Sequence, residues 1–219
     1  MEYRKNDIVT LEIVDCGTDG EGIGKADGFT VFVKDAVIGD IVTAKIMKAK
    51  KNYGYGRLME ILKPSPYRVE SVCPSARQCG GCQLQAVSYE EQKVFKEKKL
   101  RGHLERIGGF RDLPMEPMIG MDEPYHYRNK AQFPVGRNKE GRIITGFYAG
   151  RTHAIIENRD CALGIPQNKE ILDIVIAHME KYGIAPYDEM TGKGLVRHIF
   201  VRYGFFTGEL MVCLIINGQ

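Results

Sequence analysis

The sequence predicts an α+β protein: a small N-terminal β-barrel, then a central antiparallel sheet domain with helices and a four-cysteine site. Three observations lead there. Through residues 7–63 apolar residues alternate with polar ones, in short runs broken by glycine. Strand-like runs return after residue 127 and are interrupted by a helical stretch. Between them lies the segment CPSARQCGGCQLQ at 73–85, with three cysteines inside ten positions.

The N-terminal runs are DIVTLEIVDC, EGIGKADG, FTVFVKDAVIGD, IVTAKIMKA and YGYGRLMEIL. Ile8, Leu11 and Ile13, then Val31 and Val33, carry the two-residue period of half-buried strands. Five short strands with no helix between them predict a barrel of the OB type over 1–63. KPSPYR at 63–68, with two prolines, reads as a linker to a central domain over 64–219. Ser88 with Glu91 forms a capping box for a helix that Gly108-Gly109 ends; Leu100, Leu104 and Ile107, with Val94 or Phe95, would be its apolar stripe. Residues 110–126 are loop-like. NKAQFPVG, RIITGFYAG and THAIIENRD then predict a meander. QNKEILDIVIAHMEKYG is a second helix with a stripe of Ile171, Leu172, Val175, Ile176 and Met179. GLVRHIFVRYG and ELMVCLIIN form a closing hairpin, with Arg197 on a face opposite the core.

Composition is that of an ordinary globular protein, with no apolar run long enough to span a bilayer and no signal-peptide core. The expectation is a cytoplasmic monomer with no membrane partner. Net charge is only +3, but it is unevenly spread: residues 1–44 hold four Lys/Arg against nine Asp/Glu, while 45–63 hold six against one. In that second stretch Lys48, Lys50, Lys51 and Arg57 interleave with Tyr53 and Tyr55, a mixture suited to RNA phosphates and stacked bases.

Cys73, Cys79 and Cys82 follow C-x5-C-x2-C, with glycines that would allow tight, positive-φ turns and point the sulfurs inward. A closed site needs a fourth ligand from Cys16, Cys161 or Cys213. Cys16 ends a strand and Cys213 sits in an apolar run, whereas Cys161 lies in the loop-like ENRDCALGIP and is the choice. Three local thiols and one remote one favour a 4Fe–4S cube over zinc, which usually takes paired knuckles.

Together these features resemble the bacterial RNA uracil-C5 methyltransferases, and most of the chain shares in the resemblance. DCGTDGEGIGKADGFTVFVKDAVIGD is similar to the core of their N-terminal TRAM domain, and C-P-x4-C-G-G-C-x-x-Q to their cluster loop. YHYRNKAQFPV, GFYAGRTHAIIENRDCALG and LVRHIFVRYG resemble segments that follow in the same order. The resemblance implies a 4Fe–4S cluster on Cys73, Cys79, Cys82 and Cys161, and use of S-adenosylmethionine to form 5-methyluridine in 23S ribosomal RNA. Arg128 and Lys130 in YRNK would then contact RNA around a target uridine swung out of its stack.

One part of the family pattern is absent. Gly20, Gly22 and Gly24 imitate a nucleotide-binding set, yet a strand, not a helix, follows them. No activated thiol or general base is recognisable for attack on uracil. The chain therefore reads as the N-terminal portion of such an enzyme, inactive alone, with the cofactor held by a domain it lacks. The alternatives are a non-enzymatic RNA-binding protein stabilised by zinc or iron–sulfur, and a relative of the radical methylthiotransferases. The latter disagrees in cysteine spacing and in the position of its TRAM domain.

Overall fold

The computed structural model describes residues 3–218. Strands β1 (Ile8–Cys16), β2 (Gly22–Ala26), β3 (Phe29–Lys34), β4 (Ile41–Ala49) and β5 (Tyr53–Lys63) close into a barrel in the order β1-β2-β3-β5-β4. Neighbours run antiparallel except β3 and β5, which are parallel. Leu11, Ile13, Val31, Val33, Val42 and Ile46 fill the interior, the period-two positions that point to one side of each strand. Gly22 and Gly24 belong to β2: a Cβ on Gly24 would sit 2.2 Å from Leu11, and one on Gly22 2.8 Å from Ile13. These glycines serve barrel packing, and no helix N-terminus follows them to receive a phosphate.

The chain forms two compact units, and the first contains more than the barrel. It includes the residues up to Ser71 and then resumes with Gln83–Gly120. The division thus differs from the 63/64 boundary expected from the prolines. KPSPYR is not a free linker: Ser65 is buried, and its N–H donates to Asp40 Oδ1 at 2.8 Å. Arg68 donates to both Asp40 oxygens, at 3.1 and 2.5 Å, and to the Asp35 carbonyl at 2.9 Å. A fully buried carboxylate is tolerated only with such partners, and they pin the proline segment to the barrel.

Helix α1 (Tyr89–Arg106) starts where the capping box put it, with Ser88 Oγ accepting the Glu91 N–H. Its predicted stripe is not buried. Leu100 is 49% and Ile107 81% exposed, whereas Glu91 and Gly102 are covered. The helix is instead held by polar contacts near its start and from its returning tail. Gln92 Nε2 donates to the Leu84 and Val87 carbonyls, and Glu97 accepts the Met118 N–H.

The second unit joins Val72–Cys82 to the chain from Met121 onward. Strands β6 (Lys130–Arg137), β7 (Ile143–Tyr148) and β8 (Ile155–Glu157) form the expected meander. Helix α2 (Gln167–Lys181) follows, then the hairpin β9 (Val196–Tyr203) and β10 (Leu210–Ile216). The antiparallel sheet has the order β10-β9-β6-β7-β8. Leu172, Ile176 and Met179 of α2 pack on Phe133, Val196, Ile199 and Val201, with Ile171 and Val175 partly buried beside them. β10 is an edge strand whose side chains are mostly exposed to solvent, Cys213 among them. Among the described residues no helix is long and apolar enough to cross a membrane.

Candidate functional site: an aromatic basic face and a four-cysteine loop

On the barrel, the sequence YGYGR at 53–57 explains its own geometry. Gly54 and Gly56 point inward, where a Cβ would lie 3.0 Å from the Phe29 ring and from Val31 respectively. Tyr53, Tyr55 and Arg57 therefore point outward. Register then builds rows across the face. Tyr55 stands opposite Phe32 on β3 and Lys48 on β4; Arg57 stands opposite Lys34 and Lys45. Phe32, Tyr53 and Tyr55 make a three-ring cluster with centroids 5.6–5.9 Å apart. Tyr53 and Tyr55 remain 38% and 39% exposed. Lys50 and Lys51 lie in the β4–β5 turn, closed by the Lys50 N–H donating to the Tyr53 carbonyl. Among the described residues none of Lys48, Lys50, Lys51 or Arg57 is held in an ion pair. Sequence reading missed Phe32; only the β3–β5 register brings it to the two tyrosines.

All four predicted ligand cysteines fall in the second unit. The loop begins with turns, the Ala76 N–H donating to the Cys73 carbonyl and the Cys79 N–H to that of Ser75. Cys79 then bridges to Ala149, and the Gly80 N–H donates to the Tyr148 carbonyl at 2.9 Å. A Cβ on Gly80 would lie 3.1 Å from Gly150 Cα, so two backbones cross where neither glycine carries a side chain. Neither Gly80 nor Gly81 has a positive φ, contrary to expectation: they provide closeness rather than left-handed turns.

The Cys161 turn is built separately. The Gly164 N–H closes it onto the Cys161 carbonyl, and the 126–128 segment zips onto 162–164 through N–H groups of His126 and Arg128. The Cys79 thiol lies within electrostatic reach of Cys161, Cys73 and Arg128. Burial pushes that thiol up, the Gly81 N–H at 3.3 Å pulls it down, and the other two cysteines push it up again. Asn158 Nδ2 donates to Cys73 Sγ at 3.4 Å, while its Oδ1 accepts the Asp160 N–H. Asn158 had no signal in the sequence. Cys82 follows in the same loop, half-buried.

Among the described residues no three His, Cys, Asp or Glu side chains converge as one metal ion would require. Four thiols are a soft donor set of the kind that zinc or an iron–sulfur cluster takes, and N–H groups are aimed at two of the sulfurs. S-adenosylmethionine finds no such fit: among the described residues no glycine-rich turn opens a helix. Cys16 is a poor nucleophile, its thiol pushed up to about 11 by burial, with Asp15 and Glu21 adding to the effect. Of the central basic residues, Arg128 sits beside the cysteines, and Lys130 faces Arg202 across β9 with its ammonium over Phe200.

Residues 4–59 match the TRAM domain family. The match covers nearly the whole barrel. Beyond it, the chain is 45% identical over 216 residues to a protein of Halalkalibacterium halodurans described as an uncharacterised RNA methyltransferase, covering 99% of this chain and 47% of that one. A similarly described protein of Clostridium tetani is 44% identical over 215 residues, covering 98% and 46%. The chain thus spans about half the length of the curated relatives it matches. The crystal structure of Pyrococcus abyssi tRNA (uracil-54, C5)-methyltransferase with S-adenosyl-L-homocysteine superposes with a TM-score of 0.67 at 23% identity, over 95% of this chain and 46% of that one. That likeness extends the shared fold past the barrel into the second unit.

Proposed function

We propose that this chain is the RNA-binding and iron–sulfur portion of an S-adenosylmethionine-dependent RNA methyltransferase that forms 5-methyluridine, with 23S ribosomal RNA as substrate. The observation that carries the reading is the 44–45% identity, over nearly the whole chain, to proteins described as RNA methyltransferases. Cys73, Cys79, Cys82 and Cys161 would hold a 4Fe–4S cluster. When bound, the cluster supplies a cross-link between the 73–82 loop and the Cys161 turn, closing a long excursion of chain. The Gly81 N–H and the Asn158 amide direct positive hydrogen at its thiolates, and Arg128 adds a nearby cation.

The TRAM barrel performs the second task. Lys48, Lys50, Lys51 and Arg57 neutralise phosphates, and Tyr53 and Tyr55, backed by Phe32, offer ring faces to bases. Arg128 and Lys130 are the proposed contacts in the second unit. The relatives' descriptions support RNA methylation, and the cluster loop supports the uracil-C5 class.

Anaerobic purification tests the metal: a brown protein with broad absorption about 400 nm supports the cluster, and a colourless, zinc-replete one overturns it. Transfer of labelled methyl from S-adenosylmethionine by the complete gene product tests the substrate. Label in 23S ribosomal RNA is expected. Label in transfer RNA alone would favour the second reading, which the name of the Pyrococcus abyssi neighbour supports.

A further inference from the structure

A group of flat side chains at the end of β7 belongs to neither the barrel face nor the thiols. Tyr148, the last residue of β7, stacks on His153 with ring centroids 5.1 Å apart and planes 24° from parallel. The His153 side chain is 73% exposed, and its Nδ1 lies 2.7 Å from a Glu189 carboxylate oxygen, which fixes the ring. Nearby, the guanidinium of Arg197 lies over the Tyr187 ring, 4.5 Å from its centroid. The two pairs adjoin: Glu189, which holds His153, follows two residues after Tyr187, whose N–H donates to the carbonyl of Val196, the neighbour of Arg197.

An internal stack is shielded by apolar neighbours, and a surface ion pair has no need of flat partners. Here a ring three-quarters exposed is held in a fixed plane, next to a guanidinium whose face is used but whose N–H edge is suited to anions. Burial and the Arg197 charge hold the adjoining His198 below the usual imidazole range, so the fixed positive charge is that of Arg197. The Tyr148 carbonyl also accepts the Gly80 N–H, which sets the group on the border of the cysteine loop.

We infer that Tyr148, His153, Tyr187 and Arg197 form a second stacking site, which takes an unpaired base of single-stranded RNA on the open face of His153 and a neighbouring phosphate on Arg197. The inference rests on the reading of the chain as RNA-handling. Stacking on such a platform is sequence-tolerant and depends on the aromatic plane, while phosphate pairing depends on charge.

The test is anisotropy of a fluorescein-labelled oligouridine with the full chain, comparing wild type, His153→Ala, Arg197→Lys and the barrel variant Tyr55→Ala. His153→Ala is expected to weaken binding about tenfold, since it removes the stacking plane. Arg197→Lys keeps the charge and loses the planar fork, and is expected to weaken binding about fivefold. Replacement of uridine by 4-thiouridine followed by irradiation is expected to cross-link the RNA to the peptides bearing His153 or Tyr187. Wild-type affinity in both second-unit variants, with Tyr55→Ala weakened, overturns this site and leaves the RNA reading standing. Absence of binding by the wild-type chain overturns both. Since His153 projects into solvent, its loss leaves folding intact and the comparison interpretable.

Discussion

Asp40 has no exposed side-chain surface, yet it keeps its charge. Burial pushes its carboxyl up, but Arg68 and the N–H groups of Ser65 and Val37 outweigh that and hold it below the usual carboxylate range. A folded-state value below the unfolded one contributes stability above about pH 4, and that contribution is lost as pH falls through the folded value. Asp40→Asn is therefore expected to lower stability at neutral pH by about 3 kcal/mol, leaving Arg68 facing a neutral amide. The difference from wild type should shrink in acid, as urea unfolding at several pH values will measure. Gly146 is a steric case: a Cβ there would sit 2.0 Å from the Ile156 carbonyl oxygen and 2.5 Å from the Asn158 nitrogen. Gly146→Ala is expected to cost about 2–3 kcal/mol by forcing β8 from β7, and to displace the Asn158 amide from Cys73. Thermal unfolding reads the first effect, and the iron content of anaerobically purified protein the second.

Among the elements, those with strong periodicity were legible. The five barrel strands and α2 announce their buried faces because one residue in two, or the i, i+3, i+4 set, must be apolar to fill a core. Helix α1 was legible in its cap but not in its packing: its few apolar residues do not select a face, and its polar contacts to Leu84, Val87 and Met118 leave no periodic trace. The β5 face was half legible. Tyr53, Tyr55 and Arg57 could be read from alternation, but Phe32 required the parallel β3–β5 register, which nothing local encodes. At this scale each of Lys48, Lys50 and Lys51 changed to Ala should reduce the slope of log affinity against log salt by about 0.7 for single-stranded RNA. Phe32→Ala should leave that slope alone and weaken binding, by loosening the tyrosines that it supports. Equilibrium titration across a salt series separates the two effects.

For the molecule as a whole, the loop-like segment around Cys161 made it the choice of fourth ligand, whereas the surroundings of the thiols could not be read. Asn158 lies three residues before Cys161 and becomes relevant only because β8 carries it to Cys73. The 63–68 segment misled for a related reason. Prolines signal a break in regular structure, but whether the broken segment is free depends on a partner such as Asp40, twenty-eight positions before Arg68. If the proposed cluster is bound, Cys161→Ser is expected to abolish its absorption and to lower the unfolding transition of the second unit, with the barrel transition unchanged; circular dichroism alongside absorption would separate these.

The interrupted first unit has a consequence for synthesis. The chain leaves the barrel unit at Ser71, makes its cysteine loop, and returns at Gln83 before the rest of the second unit has been translated. Cys82 and Cys161 are roughly eighty residues apart, so at about 5–20 residues per second the first three thiols emerge several seconds before their partner. During that interval the nascent thiols are open to oxidation, and the cluster proposed above would close on all four cysteines only once the ribosome has passed Cys161.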